Sequence, residues 1–146
     1  MKYKGSVAIH QEREVVVALF MNEEYNKEYQ DGFIKKELIN GVSGQKGAKS
    51  KMYYKYGKQD MVITETITKN DLPQSLEAFY HHKHMDNTMK YTFTEVNSKT
   101  TQYDYECEYI RINWFLPKII ALFFPGIYRK QVEKWMSQFK EFAEKQ

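Results

Sequence analysis

WFLPKIIALFFPGIYRKQVEKWMSQFKEFAEK, residues 114–145, predicts one long amphipathic helix interrupted at Pro125-Gly126. After the interruption, Tyr128, Val132, Trp135, Met136, Phe139, Phe142 and Ala143 recur at the three-four spacing of a buried helix face. Before it the chain is apolar nearly all round, with Lys118 its only charge. Proline removes a backbone donor, so a kink or break is expected at Pro125. A helix with this much apolar surface needs something to wrap it, and the strands that precede it are the only candidate. A curved sheet gripping one long helix leaves space between the two, so this stretch points to a pocket.

Working back towards the N-terminus, the period changes to two. Residues 33–40, 48–57, 60–68, 75–84, 87–96 and 99–112 each read as strands. The separators are Gly41–Gly47, Gly57-Lys58, Asn70–Gln74, Met85-Asp86 and Asn97-Ser98. Most are short, so neighbours should pair as antiparallel hairpins in a meander. Met52 and Tyr54 share one face with Met61, Ile63, Glu65, Ile67, Leu76, Ala78, Tyr80 and His82. Met89, Tyr91, Phe93, Tyr103, Tyr105, Cys107 and Tyr109 continue it. The opposite face carries Lys, Thr and Glu and is solvated. Further back, residues 2–9 alternate as a half-buried strand. Residues 12–21 read as a helix in spite of the β-branched Val15–Val17. Asn22 is placed to cap a second short helix that ends at Asp31-Gly32. The predicted order is β-α-α-β-β-β-β-β-β-α, an α+β helix-grip arrangement: a curved antiparallel sheet around a long C-terminal helix, in a single domain over residues 1–146.

Composition narrows the function. A chain of 146 residues with 42% hydrophobic and 28% charged side chains buries a core of its own. Twelve tyrosines suit walls that are partly apolar and partly polar. A net charge of +3 attracts anions only weakly and does not make a nucleic-acid binder. The single cysteine excludes an internal disulfide and fits a reducing compartment. Residues 1–10 lack the apolar run of a signal peptide, and residues 119–124 fall far short of the roughly 20 needed to span a bilayer. The expectation is a cytoplasmic protein with no transmembrane segment.

In this order of elements the chain resembles the SRPBCC superfamily, the START/Bet v1-like group that includes polyketide cyclase/dehydrase-like proteins. The local text is similar to its small bacterial members at VVALFMNEEYNKEY (16–29), ITETIT (63–68), DLPQSLEAFY (71–80) and FFPGIYRKQVEKWMSQFKEFAE (123–144). The resemblance covers essentially the whole chain. It implies a cavity between the sheet and the C-terminal helix. It implies no particular activity, because the superfamily has no universal catalytic motif and spans lipid carriers, hormone receptors and aromatase/cyclases.

Glu65 is the most suggestive single residue. Alternation places it on the apolar face between Ile63 and Ile67, where an unpaired carboxylate is expensive. It needs a partner, and Lys36 or Arg111 could supply one. A structural hydrogen bond is the commoner reason for such a residue, with a ligand anchor or acid/base role as the alternative. His82 is a polar candidate that titrates near neutrality. His81, His82 and His84 do not make a metal site, because His81 points away from the other two and no third convergent ligand is in view. Cys107 lacks a basic neighbour and reads as a small buried residue. Tyr54, Tyr80, Tyr91, Tyr103, Tyr105 and Tyr109, with Asn87 and Met89, form the best candidate wall, facing Trp135. The segment 115–126, with Phe123 in it, reads as a gate to the cavity or a surface for peripheral membrane or protein contact. No P-loop, dinucleotide fingerprint, nucleophile elbow or zinc-protease motif occurs.

The expected partner is therefore a small hydrophobic molecule such as a lipid, fatty acid or aromatic compound, with no cofactor or metal. The alternatives are an enzyme using Glu65 or His82 as acid/base and a contact module working through residues 115–126. The chain is expected to be a monomer or a homodimer.

Overall fold

The computed structural model describes residues 2–113 and 127–146. The expected gate, the break at Pro125-Gly126 and Phe123 all lie outside the described residues. The elements are β1 (Lys2–Ile9), α1 (Arg13–Met21), a 3-10 turn (Glu23–Tyr25), α2 (Asn26–Tyr29), β2 (Phe33–Asn40), β3 (Lys49–Tyr56), β4 (Gln59–Asp71), β5 (Ser75–His82), β6 (Met85–Asn97), β7 (Thr100–Ile112) and α3 (Ile127–Glu144). One antiparallel seven-stranded sheet runs in the order β1-β7-β6-β5-β4-β3-β2. Consecutive strands from β2 to β7 are neighbours, as hairpin connections dictate. The N-terminal β1 crosses to the far edge and pairs with β7 from Lys2↔Glu108 to Ile9↔Thr101.

Alternation sorts the faces as the residue types require. In β3, Ser50, Met52 and Tyr54 are buried while Lys49, Lys51 and Lys55 are exposed. In β7, Tyr103, Tyr105 and Cys107 are buried and Gln102, Glu106 and Glu108 are not. One turn differs from the expectation. The β5–β6 hairpin turns at Lys83-His84, two residues before Met85-Asp86. Met85 and Asp86 instead pair with Ile112 and Arg111 across β6–β7.

Two glycines are required by close approach. A Cβ on Gly5 would sit 2.5 Å from Cε1 of Tyr105, the residue it pairs with across β1–β7. Gly32, at φ 77°, starts the return into β2, and a Cβ there would sit 2.6 Å from the Lys55 carbonyl oxygen.

Helix α1 presents Val16 and Leu19 to the sheet, with Phe20 beside them. Asn22 accepts a hydrogen bond from the Glu24 amide at 3.1 Å and caps the turn that follows. Helix α3 buries Met136, Phe139 and Ala143 against the concave face of the sheet. Its last turns are tied to β1: the Lys140 ammonium donates to the Ala8 carbonyl at 2.7 Å, and Glu144 accepts the His10 amide at 2.8 Å. Its middle is tied to the turn after α2 through Lys134–Asp31 at 2.7 Å. No helix among the described residues is long and apolar enough to cross a membrane.

Candidate functional site

Between the concave face of the sheet and α3 lies a cavity of about 650 Å³. Its floor is built by alternation. Every second residue of β3, β4, β5 and β6 points into it: Met52 and Tyr54, then Met61, Ile63, Glu65 and Ile67, then Leu76, Tyr80 and His82, then Met85, Met89 and Tyr91, with Asn87 beside them. Its roof is the start of α3, which contributes Gln131, Val132, Trp135, Met136 and Phe139. Phe20 and Met21 of α1 close one end, and Asn26, Tyr29 and Gln30 line the side next to α2.

At the centre of this apolar surface sits a connected polar group. Glu65 is 6% exposed. One of its carboxylate oxygens meets the Lys36 ammonium at 2.8 Å, and the other accepts the Tyr80 hydroxyl at 2.8 Å. The Tyr80 and Tyr91 oxygens are 2.9 Å apart. A phenol has one proton. Tyr80 gives its proton to Glu65, so Tyr91 donates to Tyr80. The carboxylate that sequence alternation buries is thus paired on both oxygens, which is how a charge survives in such a place. Burial raises the Tyr80 hydroxyl well above the usual phenol range, and the Glu65 and Tyr91 neighbours add to the shift. Burial likewise raises Tyr91, with the Glu65 charge adding and the Tyr80 hydrogen bond opposing. Both stay protonated at any ordinary pH. Two further phenols hydrogen-bond at the side: Tyr29 donates to Asn26 Oδ1 at 2.9 Å and Tyr54 to Gln30 Oε1 at 2.7 Å.

Aromatic rings fill the rest of the wall. Tyr54 stacks on Trp135 at 5.7 Å between centroids and 11° between planes. Phe20 packs tilted or edge-on against Tyr91, Phe93, Tyr103 and Phe139, at 4.9 to 5.8 Å. These are the offset and edge geometries that ring quadrupoles favour.

Of the residues singled out from the sequence, Tyr54, Ile63, Glu65, Tyr80, His82, Asn87, Met89, Tyr91, Tyr109 and Trp135 all line this cavity. Tyr105 does not. It lies on β7 between Tyr103 and Tyr109, 1% exposed, with its ring filling the space over Gly5 of β1. It belongs to the packed core. Arg111 is not the partner of Glu65 either. Its Nε donates to Asp86 at 2.8 Å, and its guanidinium also reaches Asn113 and the His82 carbonyl, which fastens the β5–β6 turn to the end of β7. Lys36 takes the role instead, because it pairs with Met52 in register and so shares the concave face.

Histidine 81 points away and bonds Asp86 at 2.6 Å, while the His82 and His84 rings lie 5.4 Å apart. Among the described residues, no three His, Cys, Asp or Glu side chains are grouped to hold a metal ion. Burial pushes the Cys107 thiol up to about 11, so it stays a neutral, buried residue at ordinary pH.

The lining residues that sequence reading overlooked come mainly from the first helices: Phe20, Met21, Asn26, Tyr29 and Gln30. Val16, Leu19 and Phe20 already had the three-four spacing of an inward helix face. That spacing was the available signal for Phe20. Nothing local marked Asn26 or Gln30.

No protein-family model matches the sequence, and no curated protein does. Solved structures do. The aromatase/cyclase ZhuI from Streptomyces sp. R1128 superposes with a TM-score of 0.80 at 9% identity, covering 99% of this chain and 93% of the other. A START superfamily protein from Mycobacterium smegmatis gives 0.79 at 6% identity, over 99% and 97%. Major latex-like protein 151 from Panax ginseng gives 0.75 at 12% identity, over 98% and 97%. These likenesses show the fold, an α+β helix-grip arrangement of a curved antiparallel sheet around the C-terminal helix.

Proposed function

We propose that the chain binds a small, largely apolar molecule in the cavity between the sheet and α3. The observation that carries this reading is the cavity itself. A space of about 650 Å³, walled by aromatic and methionine side chains with a few polar groups at its centre, has the size and make-up of a small-molecule site. Removing apolar ligand surface from water would drive binding, at roughly 25 cal/mol per Å². Tyr54, Tyr91, Met89 and Trp135 supply the apolar contact, and Glu65, Tyr80, His82 and Asn87 the polar points. Native mass spectrometry of freshly purified protein, followed by denaturing extraction, tests this. A stoichiometric bound mass of apolar chemistry is expected. If soaked aromatic and aliphatic probes also leave the protein as a bare mass, the reading fails.

A second reading is favoured by one feature, the continuous chain Lys36–Glu65–Tyr80–Tyr91. A phenol whose proton can move along such a chain can act as acid or base on a bound substrate. Glu65→Gln separates the two readings: an enzyme loses turnover of a ligand that still binds, and a carrier has no turnover to lose.

A further inference from the structure

We propose that the cavity selects ligands bearing a hydrogen-bond-donating hydroxyl, and that it disfavours carboxylates; this rests on the reading of the cavity as a binding site. Two observations carry the inference, one about protons and one about charge.

The protons come first. Tyr80 gives its hydroxyl proton to Glu65, which obliges Tyr91 to give its own to Tyr80. Among the described residues this is the only side-chain hydrogen bond of Tyr91, so its oxygen keeps a lone pair and has no proton left to donate. Tyr91 lines the cavity. What it offers a ligand there is an acceptor. A ligand hydroxyl can donate to that acceptor. A ligand with only acceptor atoms at that point meets lone pair against lone pair.

The charge points the same way. The described lining residues with full charge are Glu23, Lys36 and Glu65, two carboxylates against one ammonium. The ammonium is already committed to Glu65 at 2.8 Å. A ligand carboxylate entering this wall would be desolvated with no free cation among the described lining residues to meet it, which is costly in an apolar site. The amide groups of Asn26, Gln30 and Asn87 can still donate to a carbonyl or ether oxygen, and they ask for no charge. Among the ligand types that the apolar wall admits, this removes free fatty acids and keeps alcohols and phenols.

The test uses the full chain and four fluorescent probes of one shape: pyrene, 1-hydroxypyrene, 1-pyrenecarboxylate and 1-pyrenemethylammonium, each titrated at neutral pH. The expected order puts 1-hydroxypyrene about tenfold tighter than pyrene, the worth of one buried hydrogen bond to a phenol oxygen. The carboxylate is expected to bind more weakly than pyrene. Tyr91→Phe should erase the advantage of the hydroxyl, so that 1-hydroxypyrene and pyrene bind the variant equally. Glu65→Gln should free the Lys36 ammonium and bring the carboxylate up to or above pyrene. The proposal is overturned if the carboxylate outranks 1-hydroxypyrene or the ammonium probe on the native protein. It is equally overturned if Tyr91→Phe keeps the hydroxyl preference. Pyrene binding without any hydroxyl preference sinks the selectivity and leaves the binding reading standing. If none of the four binds, both fall together.

Discussion

The two ends of the grip are built from the same sheet and the same helix, and they behave oppositely. At one end the C-terminal half of α3 lies on β1, β6 and β7 with α1 beside it. There Ile9, Val16, Thr101 and Ala143 have no exposed surface, and Phe93 and Phe139 have almost none. At the other end the first turns of α3 face β2 to β5 across open space. The difference is a matter of supply. At the closed end a second helix brings Val16, Leu19 and Phe20 down onto the sheet, and the Phe20 ring meets Phe93, Tyr103 and Phe139 edge to face. At the open end no helix among the described residues plays the part of α1. The side chains that reach in from α3, Gln131, Val132 and Trp135, cover the sheet without filling the gap. Buried polar groups occur at both ends, but among the described residues only the open end buries a charge. Glu65 and Asn26 line the open end and hold hydrogen-bond partners there, while the buried hydroxyl at the closed end, Thr101, donates to the Gln11 carbonyl at 2.8 Å.

The largest effect should come from emptying the closed end. Phe93→Ala removes a ring that stacks on Tyr103 at 5.1 Å and is 1% exposed. It should cost about 3–5 kcal/mol in urea unfolding. Met61→Ala at the open end already borders free space, and should cost about 1 kcal/mol, the transfer of its half-buried methylenes alone. Equal losses at the two sites would mean that the open end is packed after all, and would remove the contrast.

The next effect sharpens the electrostatic side of the comparison. Lys36→Met leaves the Glu65 carboxylate with only Tyr80 to answer it. A fully buried pair broken in this way loses more, but the Lys36 side chain is 20% exposed, so about 2 kcal/mol is expected. The double variant Lys36→Met/Glu65→Leu should recover most of that loss, because an apolar pair asks for no desolvation of charge. A double-mutant cycle reads the coupling directly. If the two losses simply add, the ion pair is not what holds this part of the wall.

The parts of this picture that could be read in the chain, and the parts that could not, follow from the range of each signal. Strand alternation acts locally and is strict, so Glu65, Tyr54 and Tyr91 were assigned to the concave face from their neighbours alone. The same rule misled at Tyr105. Alternation says which face a side chain takes but not what lies over it: Tyr103 and Tyr109 on the same face line the cavity, while the Tyr105 ring between them fills the space over Gly5. Arg111, the other candidate partner of Glu65, is taken up elsewhere for a related reason: Asp86, expected in a turn, is its register neighbour across β6–β7. Lys36 was only one of two options until register placed it opposite Met52. The amides of Asn26 and Gln30 reach the cavity because a one-turn helix is set against α3. That is a tertiary fact without a local pattern to announce it.

The smallest effect lies at the rim of the open end and depends on pH. His82 lines the cavity, and burial holds its imidazole below the ordinary value of 6.5, with the nearby His84, Lys83, His81 and Arg111 adding to the shift. Its Nδ1 accepts the His84 amide at 3.3 Å, a contact that only the form unprotonated at that nitrogen can make. In the unfolded chain the ring takes a proton near 6.5, and in the folded protein only at lower pH. Between those two values the unfolded state binds more protons, so stability falls as pH drops from 6.5 and levels off once the folded value is passed. The ring is partly open to solvent, which keeps the effect under about 1 kcal/mol. Comparing Tm from pH 7.5 to pH 5 in the native protein and in His82→Gln isolates it, because the contributions of the other histidines cancel in the difference. The native protein should lose more on acidification than the variant. A bound apolar ligand should widen the gap, since it takes the remaining water from the ring and makes its protonation harder still. Identical pH profiles would mean that the rim at His82 is as wet as the unfolded chain, and the open end would then begin further inside, at Tyr80 and Tyr91.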